Sequence, residues 1–130
     1  MLTNKLCIVG LGLMGGSLAL ALREHVGAIV GVDQHAATRQ QALRQSIVDE
    51  TTADFAEGVA EADAVILATP VQSILALLAQ LPQARPDGCL VLDIGSTKGA
   101  IHEAMNALPE SFTAVGGHPM CGKEGAGLAA

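Results

Sequence analysis

A short apolar run, residues 6–9 (LCIV), ends in G-L-G-L-M-G, which sets Gly10, Gly12 and Gly15 between a strand-like segment and a helix-like one. No other feature restricts the fold as strongly. At G-x-G-x-x-G spacing the first glycine permits a tight turn, the second lets a backbone approach a diphosphate without an intervening Cβ, and the third lets the helix pack close on the strand. The helix start, at Leu13 and Met14, then turns unpaired N–H groups toward the phosphates. Glycine turns are common, so a second feature matters. Asp33 ends the next apolar run about twenty residues on, where a carboxylate accepts hydrogen bonds from adenosine ribose hydroxyls. Asp33 also suits the N-cap of a helix starting near Gln34, and the two roles are compatible.

The remaining chain alternates strand and helix signals. Strands are expected at residues 6–9, 28–32, 64–68, 90–93 and 112–115, with a weak one at 48–51. Helices are expected at 14–24, 36–45, 54–60, 71–81 and 98–108, the fourth stopped by Pro82 and the fifth by Pro109. The length of 130 residues fits one domain, which buries about two-thirds of its unfolded surface. Half the residues are apolar and only 2% aromatic, so Ala, Val, Ile and Leu must build the core, as in buried parallel strands covered by helices. The expected class is α/β: a Rossmann-type, doubly wound, mainly parallel sheet of about six or more strands.

A formal net charge of −6 and the lack of a basic run argue against nucleic acid as a partner. Cys7, Cys89 and Cys121 form no C-x-x-C pair, which suggests neither a disulfide framework nor a metal site and fits a reducing cytoplasm. The uncharged stretch 6–22 imitates a signal peptide or a short membrane span, but Gly10, Gly12, Gly15 and Gly16 interrupt it, so no membrane association is expected.

Several residues fall at C-terminal strand ends, the edge where open α/β sheets bind ligands. Thr69 and Pro70 follow the fourth strand, where a plain strand-to-helix turn is the alternative. Ser96, Thr97 and Lys98 follow the fifth, and Ser96 also suits a helix cap. His118 follows the sixth, in GGHPMCGKEG. A carboxylate at position 33 repels a 2′-phosphate, and the nearest downstream cation, Arg39, is several residues away, so NAD is preferred to NADP. His25, His35 and His102 lie at helix ends or on helices and read as solvated. Cys121 has no third ligand in view and does not suggest a metal.

The segments GLGLMGGSLA, VDQ, ATPV, DIGSTKGAI and above all GGHPMCGKEGAG resemble the nucleotide-binding domain of prephenate and arogenate dehydrogenases, over nearly all of the chain. The pattern G-H-P-M-x-G-x-E-x-x-G after a D-x-x-S-x-K loop is the specific part. The resemblance implies NAD as cofactor, a small-molecule substrate (prephenate or arogenate), and a role in tyrosine biosynthesis. It also implies that His118 is the catalytic group, that Ser96 supports it and touches the substrate, and that Lys123 and Glu124 lie at the active-site rim.

A neutral imidazole at His118 would take the proton of a ring hydroxyl as hydride leaves the same carbon, and loss of carbon dioxide would aromatise the ring. An ordinary histidine, with a pKa of about 6.5, is mostly neutral near pH 7, and Lys98 or Lys123 nearby would disfavour the imidazolium further. The family carries a mostly helical, dimer-forming domain that the chain does not cover, so weak activity of these residues alone and a homodimer of a longer protein are expected. Two other readings stay open: a 3-hydroxyisobutyrate-type hydroxyacid dehydrogenase, and a non-catalytic dinucleotide sensor.

Overall fold

The computed structural model describes residues 3–94 and 99–116. The strands are β1 (Thr3–Val9), β2 (Val26–Val32), β3 (Glu50–Thr52), β4 (Ala64–Leu67), β5 (Leu90–Asp93) and β6 (Thr113–Gly116). The helices are α1 (Leu13–Leu22), α2 (Ala36–Arg44), α3 (Phe55–Val59), α4 (Val71–Ala84) and α5 (Gly99–Asn106). The strands form one sheet in the order β3-β2-β1-β4-β5-β6, with every pairing parallel. From β1 the chain winds outward to β3, then crosses back to β4 and winds the other way. The C-terminal ends of β1 and β4 therefore diverge at a topological switch point.

Strand periodicity sorts the core into two layers. Leu6 and Ile8 of β1, with Ala64 and Ile66 of β4, pack with Ala19 of α1 and Ala42 of α2. Cys7, Val9, Val65 and Leu67 point to the other face and meet Phe55 and Val59 of α3, Ile74, Leu78 and Leu81 of α4, and Ile101 and Met105 of α5. Each fully buried Ile or Leu here contributes about 1.5–3 kcal/mol relative to exposure. Burial on both faces explains why β4 reads AVIL without alternation.

The expected class and all six strands are present, with shifted boundaries. α1 stops at Leu22 and continues as a 3-10 turn over Arg23–His25. β3 lies at Glu50–Thr52: Val48 is buried in the α1/α2 layer, and Asp49 meets β2 with its N–H on the Ile29 carbonyl and its carboxylate, not its own carbonyl, on the Ile29 N–H. α4 does not stop before Pro82; it runs through that residue to Ala84. Ile74, Leu78 and Leu81, all buried, hold the helix to the sheet past the missing N–H, and the N–H of Arg85 donates to the Leu81 carbonyl at 2.8 Å. α5 ends at Asn106, where bonds from Ala107 and Leu108 to Ala104 and Met105 tighten the last turn.

Candidate functional site

The glycine loop leaves β1 at the switch point. Gly10 has φ +96°, and a Cβ there would stand 2.8 Å from the Ala68 carbonyl oxygen and from Thr69 Cγ2, so the position demands both left-handed backbone and no side chain. Its N–H donates to the Val32 carbonyl at 2.7 Å, and that of Ala68 donates to Val9 at 2.9 Å, fixing the loop between β2 and β4. A Cβ on Gly15 would collide with the Gly10 carbonyl, so α1 packs directly on the turn. Gly12 is the N-cap of α1 and has nothing within 4 Å of its would-be Cβ. The helical ladder begins with the Gly16 N–H on the Gly12 carbonyl at 2.8 Å, so the N–H groups of Leu13, Met14 and Gly15 have no intrahelical acceptor.

Asp33 is fixed by the backbone around it. Its Oδ2 accepts the Leu11 N–H at 2.9 Å, and its Oδ1 accepts the His35 N–H at 2.9 Å with His35 Nδ1 at 3.1 Å. Burial alone would raise the pKa of this 12% exposed side chain, but the N–H groups of His35 and Leu11 and the His35 ring outweigh it and hold the carboxyl below its usual range. Asp33 is thus an ionised acceptor with lone pairs to spare. It is not the N-cap of α2; that position belongs to His35, which makes no side-chain cap bond. Asp33 instead closes a turn two residues long.

One sequence expectation needs correction here. Arg39 is not remote from Asp33: its Nη1 donates to the Asp33 main-chain carbonyl at 2.7 Å. Side chains lean toward a helix N-terminus, and Arg39 sits in the first turns of α2, so six positions of separation become direct contact. His35 is solvated at the helix end as expected, 82% exposed, and its ring nitrogen also meets the Asp33 carboxylate.

Gly10, Gly12, Asp33, Thr69 and Pro70 line one cleft of about 880 Å³ at the switch point. Phe55 and Leu77 supply apolar walls farther along it, a role no local motif announced. The Thr69 Oγ1 is buried and has no hydrogen-bond partner among the described residues. An open Gly12, an N-terminal helix turn, an ionised acceptor and an orphan hydroxyl together fit a dinucleotide: diphosphate at the loop, ribose at Asp33, base between apolar walls. The side chain of Leu13, 92% exposed, lines a separate groove of about 440 Å³ between α1 and α2, and Met14 is exposed, so these two can serve the cleft through backbone only.

Ser96, Lys98, His118, Cys121, Lys123 and Glu124 lie outside the described residues. The strands preceding them end side by side, with Asp93 paired to Gly116 on the same sheet edge as Gly10. Among the described residues no three His, Cys, Asp or Glu side chains could hold a metal ion, and no helix is long and apolar enough to cross a membrane.

Residues 18–130 match the family model described as prephenate dehydrogenase, nucleotide-binding domain. The chain is 39% identical to the prephenate dehydrogenase of Bacillus subtilis (strain 168) and 37% identical to that of Lactococcus lactis subsp. cremoris (strain MG1363), over 98% of its own length in each case. It spans 35% and 37% of those relatives. Among solved structures, A. aeolicus prephenate dehydrogenase in complex with hydroxyphenyl propionate and NAD+ superposes with a TM-score of 0.78 at 33% identity, covering 92% of this chain and 42% of that one. Synechocystis arogenate dehydrogenase gives a TM-score of 0.78 at 36% identity, covering 88% and 40%. Mycobacterium tuberculosis 3-hydroxyisobutyrate dehydrogenase, at 17% identity and a TM-score of 0.73 over 89% and 40%, shares the fold alone. By its sequence over 113 of 130 residues, the chain belongs to the prephenate dehydrogenase nucleotide-binding domain family.

Proposed function

We propose that the protein is an NAD-dependent dehydrogenase that oxidatively decarboxylates prephenate or arogenate in tyrosine biosynthesis. The observation that carries this reading is the Asp33 carboxylate, held ionised by Leu11 and His35 in the same cleft as the glycine loop and the Thr69 hydroxyl. The A. aeolicus relative, bound to NAD+ and an aromatic acid, supports both the cofactor and the substrate class.

Bound NAD would supply the hydride acceptor. Asp33 would accept from its ribose hydroxyls, the Leu13 and Met14 N–H groups would meet the diphosphate, and Thr69 and Pro70 would border the nicotinamide side. His118, carried over by resemblance, would take the ring-hydroxyl proton as a neutral base, supported by Ser96, with Lys123 and Glu124 at the rim. Decarboxylation would then complete aromatisation.

The reading extends to a cytoplasmic homodimer whose 1–130 segment is the NAD-binding unit of a longer protein. Light scattering of the natural full-length product tests the dimer. For the chemistry, the full-length protein is assayed with NAD and with prephenate, arogenate or 3-hydroxyisobutyrate. Turnover of prephenate or arogenate, lost by roughly 10²-fold or more in His118→Ala with NAD affinity nearly unchanged, is the expected result. Undiminished turnover in that variant would remove His118 from the mechanism, and NAD binding without turnover of any substrate would favour a sensor.

A further inference from the structure

Asp33 has fewer acceptor sites to offer a sugar than its position suggests. A carboxylate has about four lone-pair sites. The Leu11 N–H takes one on Oδ2 and the His35 N–H takes one on Oδ1, each at 2.9 Å. His35 Nδ1, 3.1 Å from Oδ1, takes another whenever that nitrogen carries a proton. About one site then remains for a ribose diol, which brings a pair of hydroxyl donors. The bonds from Leu11 and His35 N–H groups come from the main chain and fix the loop and the turn. Only the imidazole, 82% exposed on a side chain that makes no cap bond to α2, can leave without moving backbone.

We infer that the His35 ring competes with the adenosine ribose for Asp33, so that protonation of the ring closes the ribose site and loss of that proton opens it. The inference rests on the reading of the cleft as a dinucleotide site. A neutral imidazole can carry its proton on Nε2 and give up Oδ1, whereas an imidazolium always presents a donor at Nδ1 and makes a charge-assisted bond. The charges around the ring are few. Asp33 faces it from the end of β2, and Asp54, which lines the same cleft and caps α3 through the Ala56 N–H at 3.0 Å, adds a second anion. Arg39 of α2 is engaged on the Asp33 main-chain carbonyl at 2.7 Å. Among the described residues, neither the glycine loop nor α4 brings a charged side chain to the cleft.

The test is calorimetric titration of the full-length protein with ADP-ribose. This ligand keeps the adenosine diphosphate, has no group that titrates near neutral pH, and lacks the nicotinamide that His118 is proposed to serve. Affinity falls about threefold or more between about pH 8 and about pH 5.5, the range over which histidine gains its charge. By linkage, binding near neutral pH releases protons, which titrations in buffers of different ionisation enthalpy read directly. His35→Ala, which removes no cap bond from α2, flattens the pH profile, abolishes the proton release and binds more tightly than the parent in acid. Deleting the adenosine 2′-hydroxyl of the ligand costs less affinity in the parent at acid pH than in His35→Ala, because the parent then has one acceptor for two donors.

The same pH profile in parent and His35→Ala overturns the competition and leaves the NAD reading intact. So does weaker binding by His35→Ala at acid pH, which would mark the ring as a contact to the ligand. Failure of the parent to bind ADP-ribose at any pH overturns both.

Discussion

The Leu11 N–H donates to Asp33 Oδ2 across 2.9 Å, which ties the glycine loop after β1 to the end of β2. The residue expected to hold the ribose therefore also holds the loop that would cradle the diphosphate. Asp33→Ala removes acceptors from two backbone N–H groups and should lower stability by about 1–3 kcal/mol. Asp33→Asn retains an acceptor and should cost less. Urea unfolding of the two variants checks the order; equal, negligible losses would mean that Leu11 needs no acceptor there.

Acid should weaken the fold through two carboxylates. Asp33 is held below its usual range as described, and Asp49 is too, chiefly by the Ile29 N–H at 2.8 Å, against some desolvation, and then by Arg23 at 2.9 Å. A depressed carboxyl binds protons less readily folded than unfolded. Its contribution is therefore complete above the unfolded value, about 3.9, and disappears as pH falls through the lower folded value. Asp49 is 41% exposed, so screening reduces its share to about 1 kcal/mol or less. Asp33→Asn/Asp49→Asn should flatten the loss of stability below about pH 4. An unaltered acid limb in chemical unfolding at stepped pH would refute the coupling.

What was legible from sequence was whatever depends on short-range pattern. The order of strands and helices follows from apolar runs and breakers, and Gly10, Gly15 and Asp33 follow from a spacing that only one local geometry satisfies. The passage of α4 through Pro82 was hidden, because tertiary burial of Ile74, Leu78 and Leu81 overrode a local signal. The hold of Arg39 on Asp33 was hidden for a different reason: α2 begins at Ala36 as expected, but the contact depends on the Arg39 side chain running back past the helix start to a main-chain carbonyl, which residue spacing does not reveal. Phe55 and Leu77 reach the cleft from opposite sides of β4 in the sequence, and no local window joins them.

Two glycines of the loop should separate folding from binding. Gly15→Ala drives a Cβ into the Gly10 carbonyl, a backbone atom that cannot step aside cheaply, so overpacking of about 1–3 kcal/mol or more should exceed the helix-propensity gain of about 1 kcal/mol. Gly12→Ala meets no protein atom and keeps φ −70°, so its stability should stay within about 1 kcal/mol of the parent while dinucleotide affinity falls. Thermal unfolding and NAD titration of both variants check this. Equal stability of the two would contradict the packing of α1 on the turn.

Pro82 deprives the Leu78 carbonyl of its helical donor inside α4. Pro82→Ala restores that bond on a helix already held by its buried face. The intrinsic difference of about 3 kcal/mol in favour of alanine is offset by the greater freedom of the unfolded variant, so a net stabilisation of about 1 kcal/mol is expected. Urea midpoints measured in parallel decide it; a destabilised variant would show that the half-buried ring contributes more by packing than the missing bond costs.

Cys7 lies fully buried in β1, and burial, with a smaller push from Cys89, drives its thiol from an ordinary 9.0 up to about 12 despite the opposing pull of Lys5. The Cys89 thiol is raised as well, by burial first, though it is only half-buried. Thiolate, not thiol, is the nucleophile, so Cys7 should resist alkylation in the native protein while Cys89 reacts slowly and both react in urea. Peptide-resolved labelling with iodoacetamide at pH 8 checks the order. Because the folded thiol holds its proton more firmly, its contribution to stability is complete below 9.0 and is lost as pH rises from there toward about 12. Cys7→Ser, though weaker overall, should lose less stability across that alkaline range. Labelling of Cys7 faster than global unfolding would mean that β1 opens locally, and the central strand of the sheet would no longer be its most protected element.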